Sequence, residues 1–255
     1  MVTTMGQAWP RPSQNVRLTG DDVHVWRASL SPSVPLVDQM AGLLSDDEHE
    51  RAGRFHFQVD RRRFIVGRGL LRTLLGTYLE VQPTALRFQY EPQGKPYLAA
   101  PEGKEKLSFN LSDSGDLALY AFALNRRIGI DLERLRAVPD LLEIAKRFFA
   151  LEEFEELCSL PADLQREGFF RCWTRKEAYL KAIGEGLGVP LDQFVVSLDS
   201  RDGARVVRVL GDPEEAARWS LTELAPAADY VAALAVEGQP WQLSCWDGTA
   251  LPPLL

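Results

Sequence analysis

One stretch, Trp173 to Leu187 (WTRKEAYLKAIGEGL), limits the possible architectures more than any other, because it reads as a helix docked along most of its length. Apolar residues at Phe169, Phe170, Trp173, Tyr179, Leu180 and Ile183 supply the docking face. Trp173, Glu177 and Lys181 recur at i, i+4 and i+8 and share one stripe. Glu177 therefore starts beside the buried side of the helix rather than in open water. A carboxylate so placed needs a partner, a proton or a metal.

At 255 residues, 45% of them hydrophobic, the chain can bury a real core as one large domain or two small ones. A net charge of -7 argues against a general nucleic-acid binder. Cys158, Cys172 and Cys245 have no metal-type spacing, and so sparse and odd a set fits reduced thiols in a cytoplasm. The opening MVTTMGQAWPRPSQNVR lacks the apolar core of a signal peptide, and no apolar run is long enough to cross a bilayer. The reading is a cytoplasmic protein without a membrane partner.

Ser45-Asp46-Asp47-Glu48 is a capping-box pattern that opens a helix toward Phe55 or Phe57. Asp60 to Leu79 carries Phe64, Val66, Leu70, Leu71, Leu74, Leu75 and Tyr78 at helical spacing. Past Pro83 short strands are expected at Leu86–Tyr90, Tyr97–Ala99, Leu107–Asn110 and Leu117–Leu124, the last turning through Asn125-Arg126-Arg127 into Ile128–Leu132. Helices return at Leu141–Cys158 and Arg166–Ile183. Strands then follow at Phe194–Leu198, Ala204–Leu210, Trp219–Leu224 and Tyr230–Val236. Helices then strands, twice over, imply an α+β protein of two similar halves joined around Leu124 to Arg134, each with helices on a small, mainly antiparallel sheet. The division is residues 1–22 as a loose opening, 23–124 and 125–240 as the two halves, and 241–255 as a tail. No repeat is visible residue by residue.

Chemistry concentrates in four places. In Ile128-Gly129-Ile130-Asp131-Leu132-Glu133, strand alternation puts Asp131 and Glu133 on one face and Ile130 and Leu132 on the other. With Glu177 as a third ligand this is an all-oxygen site for a hard divalent ion such as Mg²⁺, or Mn²⁺. It is also compatible with a solvated strand face and a Glu177–Lys181 pair; the two motifs together weigh toward the metal. A basic set, Arg51, Arg54, Arg61, Arg62, Arg63, Arg68 and Arg72, offers one or two arginines for a terminal phosphate and leaves most on solvated helix faces. Gln93-Gly94-Lys95-Pro96 reads as a turn, and Asn110-Leu111-Ser112-Asp113-Ser114-Gly115 as a strand end whose small polar groups can meet an oxyanion.

GKP, NLSDSG, GIDLE and WTRKEAYLKAIGEGL, in this order and spacing, resemble the motif set of the Sfp-type 4′-phosphopantetheinyl transferases. ERAGRFHFQVDRRRFIVGRGLLR resembles that family's basic N-terminal segment, so the similarity runs from about Leu43 to Leu198. The resemblance implies a monomer of two pseudo-symmetric halves with coenzyme A bound between them and apo-carrier protein domains as the second substrate. It also implies that Asp131, Glu133 and Glu177 hold Mg²⁺ and that Arg51 and Arg63 take the 3′-phosphate. Gly94 and Lys95 then lie at the adenosine end, Asn110, Ser112 and Asp113 along the phosphates, and Lys181 on the pyrophosphate. The family usually carries histidine where this chain has Asp113, and an ionised aspartate there repels phosphate.

The expected reaction is attack by a carrier serine on the phosphorus joined to pantetheine, with 3′,5′-ADP leaving; Asp131, Glu177 and Lys181 are its catalytic residues, Glu177 also as proton acceptor. Acidic carrier domains would meet FFALEEFEEL through Phe148, Phe149 or Phe154, unless those residues pack in the core. A Mg²⁺-dependent coenzyme A pyrophosphohydrolase and a non-catalytic coenzyme A-binding protein are the alternatives. Neither explains why GIDLE and WTRKEAYLKA occur together.

Overall fold

The computed structural model describes residues 7–12, 16–31, 33–98, 106–198 and 203–249. The N-terminal half runs β1 (Asp22–Ser29), α1 (Val34–Ala41), α2 (Asp46–Gly53), α3 (Gln58–Leu79), β2 (Gln89–Tyr90), β3 (Pro96–Tyr97), β4 (Leu107–Ser114) and β5 (Leu117–Leu124). The C-terminal half runs β6 (Ile128–Arg134), α4 (Leu141–Phe148), α5 (Leu151–Ser159), α6 (Ala162–Ile183), β7 (Phe194–Val196), β8 (Val206–Val209), β9 (Trp219–Leu224) and β10 (Tyr230–Glu237). β11 (Gln242–Asp247) follows. This is the α+β class expected, with one parallel exception.

Two sheets carry the halves, one ordered β11-β1-β5-β4 and the other β6-β10-β9. Hydrophobic residues on one face of each form a shared core that includes Val23, Val25, Leu119, Ala121, Ile130 and Leu234. The outer face of the first sheet is covered by α3, through residues such as Leu71 and Leu75, and that of the second by α6, through Ala178 and Ala182. Each layer thus buries the apolar face that its sequence alternation creates.

Between the sheets β4 and β6 are joined by side chains. Asn110 Oδ1, Ser112 Oγ and Ser114 Oγ accept the backbone N–H groups of Ile130, Leu132 and Arg134 at 2.8, 3.3 and 3.1 Å. Alternate residues of one strand meet alternate amides of the other, as a period of two requires. The segment expected to end as a loop after Asn110 is therefore strand to Ser114.

The halves repeat one buried device that the sequence conceals. Glu48, at the third position of α2, accepts the Ser45 N–H at 3.0 Å and Arg72 Nε at 2.6 Å, and Arg72 donates onward to Pro83 and Leu86 carbonyls. Glu153, at the third position of α5, accepts the Ala150 N–H at 2.9 Å and pairs with Lys176 at 2.8 Å. Lys176 donates to the Leu191 and Phe194 carbonyls. Both acids cap a short helix and hold a base from a 22-residue helix.

Several expectations are corrected. Leu141–Cys158 is two helices, since Phe149 and Ala150 are extended and Glu153 caps a fresh start. Arg68 and Arg72 are buried against Glu48 and do not lie on a solvated face. The strand placed at Leu86–Tyr90 shortens to Gln89–Tyr90 behind a 3-10 turn at Pro83–Ala85. The next begins at Pro96 and ends at Tyr97; Ala99 lies outside the described residues. β1, α1 and β11 were not foreseen. The last lies in the stretch set aside as a tail and pairs in parallel with β1, Asp22 opposite Gln242 through Arg27 opposite Asp247.

Candidate active site

The site is built where α6 crosses β6. Ile128, Ile130 and Leu132 point into the core between the sheets, so Gly129, Asp131 and Glu133 face the helix. A Cβ at Gly129 would lie 2.1 Å from the Ala178 carbonyl oxygen and 2.4 Å from the Ala182 nitrogen. Only glycine lets the helix backbone come this close. The crossing sets Lys181, one turn beyond Glu177, against the strand's acids.

Lys181 uses all three of its ammonium hydrogens there: on Asp131 Oδ1 at 2.7 Å, Ser112 Oγ at 3.0 Å and the Ile130 carbonyl at 3.2 Å. Ser112 in turn donates to Asp131 Oδ1 at 2.9 Å, and Ser114 donates to Glu133 Oε2 at 2.9 Å. The expected alternative pair, Lys181 with Glu177, does not form. Glu177 is half-buried and has no hydrogen-bonding partner among the described residues. Its carboxyl sits above the ordinary range, chiefly through desolvation and then through repulsion by Asp131 and Glu133, with Lys181 opposing. Glu133 is raised as well, first by burial, which the Ser114 hydrogen bond offsets in part.

Asp131 is 6% exposed, and its Oδ2 is buried without a hydrogen-bonding partner. Leaving a carboxylate oxygen so is costly unless a cation or proton meets it. Among the described residues no group of three His, Cys, Asp or Glu side chains is closed around a common point ready to hold a metal. An ion that keeps several waters and takes substrate phosphate needs only one or two carboxylates from the protein. The orphaned oxygen and the mutually repelling acids fit such an ion.

A cleft of about 390 Å³ opens beside this crossing and is lined by Arg51, Arg63, Arg68, Asp113 and Tyr120 among others. Arg51, Arg63 and Asp113 thus share one cleft. Arg51 lies over the Phe64 ring at 5.3 Å and makes no ion pair among the described residues, so its fork is free for an anion. Arg63 is already held by Asp116 at 2.8 Å and Asp60 at 3.6 Å. Asp113 reaches solvent, yet the cleft walls desolvate it enough to lift its carboxyl above the usual range; Asp131 adds to this, while Lys181 and Arg63 oppose it.

Asn110, Gly94 and Lys95 do not line this cleft. Asn110 is buried, its carbonyl oxygen committed to the Ile130 N–H. Lys95 Nζ is turned onto the backbone, donating to the Lys181 carbonyl at 2.6 Å and the Ile128 carbonyl at 3.4 Å. Gly94 turns its hairpin at a φ of +85° with open space around it. Of the aromatics in FFALEEFEEL, Phe149 is buried, Phe154 packs partly on the C-terminal core, and Phe148 is 41% exposed. Ser114 and Gly129 stand in two of the four segments singled out from the sequence, but their tasks, holding Glu133 and letting α6 approach, appear only in the fold.

Residues 28–124 match the family model described as 4′-phosphopantetheinyl transferase, N-terminal, and residues 127–235 match that of the 4′-phosphopantetheinyl transferase superfamily. The chain is 45% identical over 237 residues to 4′-phosphopantetheinyl transferase HetI of Nostoc sp., covering 93% of this chain and 96% of that protein. It is 33% identical over 162 residues to 4′-phosphopantetheinyl transferase Sfp of Bacillus subtilis, covering 63% of this chain and 69% of that one. Against the human L-aminoadipate-semialdehyde dehydrogenase-phosphopantetheinyl transferase the identity is 31% over 193 residues, with 71% and 62% covered. The two halves match successive family models and the length of a relative is spanned almost whole, so the chain belongs to the 4′-phosphopantetheinyl transferase superfamily and is a transferase of the Sfp type.

Proposed function

We propose that this protein moves phosphopantetheine from coenzyme A to the serine of an apo-carrier domain with a divalent ion, Mg²⁺ or Mn²⁺, held at the α6–β6 crossing by Asp131, Glu133 and Glu177. The observation that carries the metal is the buried, unpartnered Oδ2 of Asp131 beside two further carboxylates. When bound, the ion supplies Lewis-acid neutralisation of phosphate charge.

The chain's own residues do the rest. Arg51, with Arg63, grips the 3′-phosphate in the cleft, and the hairpin backbone at Gly94 and Lys95 lies at the adenosine end. The carrier serine hydroxyl forms a bond to the phosphorus that bears pantetheine. The bond from that phosphorus to the bridging oxygen breaks, and its electron pair leaves on 3′,5′-ADP. The serine proton passes to Glu177, on a carboxylate oxygen that the ion does not take. Lys181 offsets charge on the departing phosphate, held in place by Asp131 and Ser112. A monomer is what the resemblance to the family implies, and the three cysteines, none in a disulfide, favour a cytoplasmic setting.

The test is the intact mass of an apo-acyl carrier protein after incubation with this protein and coenzyme A, with and without chelation of divalent ions. A gain of one phosphopantetheine that vanishes on chelation and returns with Mg²⁺ is the expected result. A gain indifferent to chelation overturns the metal assignment.

A further inference from the structure

Lys95 lies in the β2–β3 hairpin, where the Glu91 N–H donates to the Lys95 carbonyl at 2.9 Å and the Gly94 N–H to the Glu91 carbonyl at 2.8 Å. By chain order this hairpin belongs to the N-terminal half, yet its tip rests on the end of α6. A Cβ at Gly186 would lie 3.0 and 3.1 Å from Gln93 Cγ and Cβ, and one at Gly184 would lie 3.3 Å from Glu91 Oε2. Both glycines have positive φ, so the chain leaving α6 is shaped to receive the hairpin.

The ammonium of Lys95 then meets two elements at once. The Lys181 carbonyl at 2.6 Å belongs to the last turn of α6, where carbonyls have no intrahelical donor and the helix dipole favours a cation. The Ile128 carbonyl at 3.4 Å belongs to the first residue of β6. Lys181 is thus held at its backbone by Lys95 while its own ammonium reaches Asp131, Ser112 and the Ile130 carbonyl. Burial presses the Lys95 ammonium toward its neutral form, and Glu91 opposes this.

We propose that Lys95 is a positioning residue for the transfer, its ammonium clamping the end of α6 to the start of β6 and so fixing where Lys181 meets Asp131. The inference rests on the transferase reading above and gives the side chain a task other than contact with coenzyme A.

Lys95→Met keeps the stem and removes the charge, and Lys95→Arg keeps a charged, multiply donating group. Both are made in the full chain and assayed for carrier mass gain and for hydrogen–deuterium exchange over residues 128–132 and 180–186. For Lys95→Met, kcat is expected to fall by roughly a hundredfold, the loss a small misplacement of a catalytic group produces, while the coenzyme A KM stays within about twofold. Exchange should quicken in both segments, and Lys95→Arg should restore most of kcat. Should Lys95→Met not fold, Lys95→Gln, which keeps one donor, must show the same division between kcat and KM.

A rise in KM with kcat kept would place the ammonium on coenzyme A. A lower melting temperature with kcat and KM unchanged would make Lys95 a stability residue only. Either result overturns the proposal. Unaltered exchange at 180–186 does so whatever the activity. Failure of the transferase reading shows separately, as a wild-type protein that adds no mass to any carrier and leaves the exchange result to decide the clamp.

Discussion

Asp113 shows how a single side chain can set both stability and affinity. Its carboxyl is raised from 3.8 by desolvation, so the folded state holds this proton more tightly than the unfolded chain does. The stability this confers is present below the unfolded value and is lost as pH rises through the folded one. Asp113→Asn should match the wild type near about pH 3 and exceed it near about pH 7 in chemical denaturation, since the amide cannot ionise. The same variant should lower the coenzyme A KM, more so at higher pH, because an ionised Asp113 shares its cleft with Arg51 and Arg63, the arginines proposed to take phosphate. A KM that rises would mean that Asp113 contacts the substrate favourably. Asp131, Glu133 and Glu177 were legible in the sequence because strand and helix periods fix their faces. The Lys181–Asp131 pair was not, since i+4 spacing offered Lys181 a nearer acid, Glu177, and only the crossing of α6 over β6 decides between them.

At the scale of elements, the crossing depends on a glycine and the helices on buried charges. Gly129→Ala puts a methyl group 2.1 Å from the Ala178 carbonyl oxygen, so α6 must lift from β6. Overpacking of this kind costs about 1–3 kcal/mol, and transfer activity should fall further than that loss alone explains, because Glu177 and Lys181 move with the helix. Near-normal activity and melting temperature would deny the tight crossing. Lys176→Met leaves Glu153 buried without its base and should cost about 3–5 kcal/mol in denaturant unfolding, whereas adding Glu153→Leu should recover much of the loss. Strict additivity of the two changes would show the pair to be uncoupled. Helix and strand identities were largely legible from periodicity. The break at Phe149-Ala150 was hidden because neither residue is a glycine or proline and the apolar pattern continues across it. β4 was cut short for the opposite reason: Asn110, Ser112 and Ser114 look like turn residues, and their strand role appears only once β6 supplies amides for them.

For the whole molecule, two halves were foreseen from the order of elements, but their means of union was not. β11 returns across the chain to pair with β1, a contact of some 220 residues' separation that no local pattern announces. The buried devices of Glu48 with Arg72 and Glu153 with Lys176 carry the internal symmetry, yet they share only the glutamate, so no alignment of one half on the other reveals them by residue type. The arginine-lined cleft and the carboxylates are neighbours through β4: Ser114 lines the cleft and donates to Glu133, and β4 is stitched to β6 along one seam. The carboxylate site where α6 crosses β6 stands or falls with Glu177→Gln in the carrier-mass assay, with coenzyme A binding measured alongside. The expected result is a folded protein that binds coenzyme A yet transfers phosphopantetheine at least about a hundredfold more slowly. Turnover close to the wild type's would contradict it, removing Glu177 both as ligand and as proton acceptor.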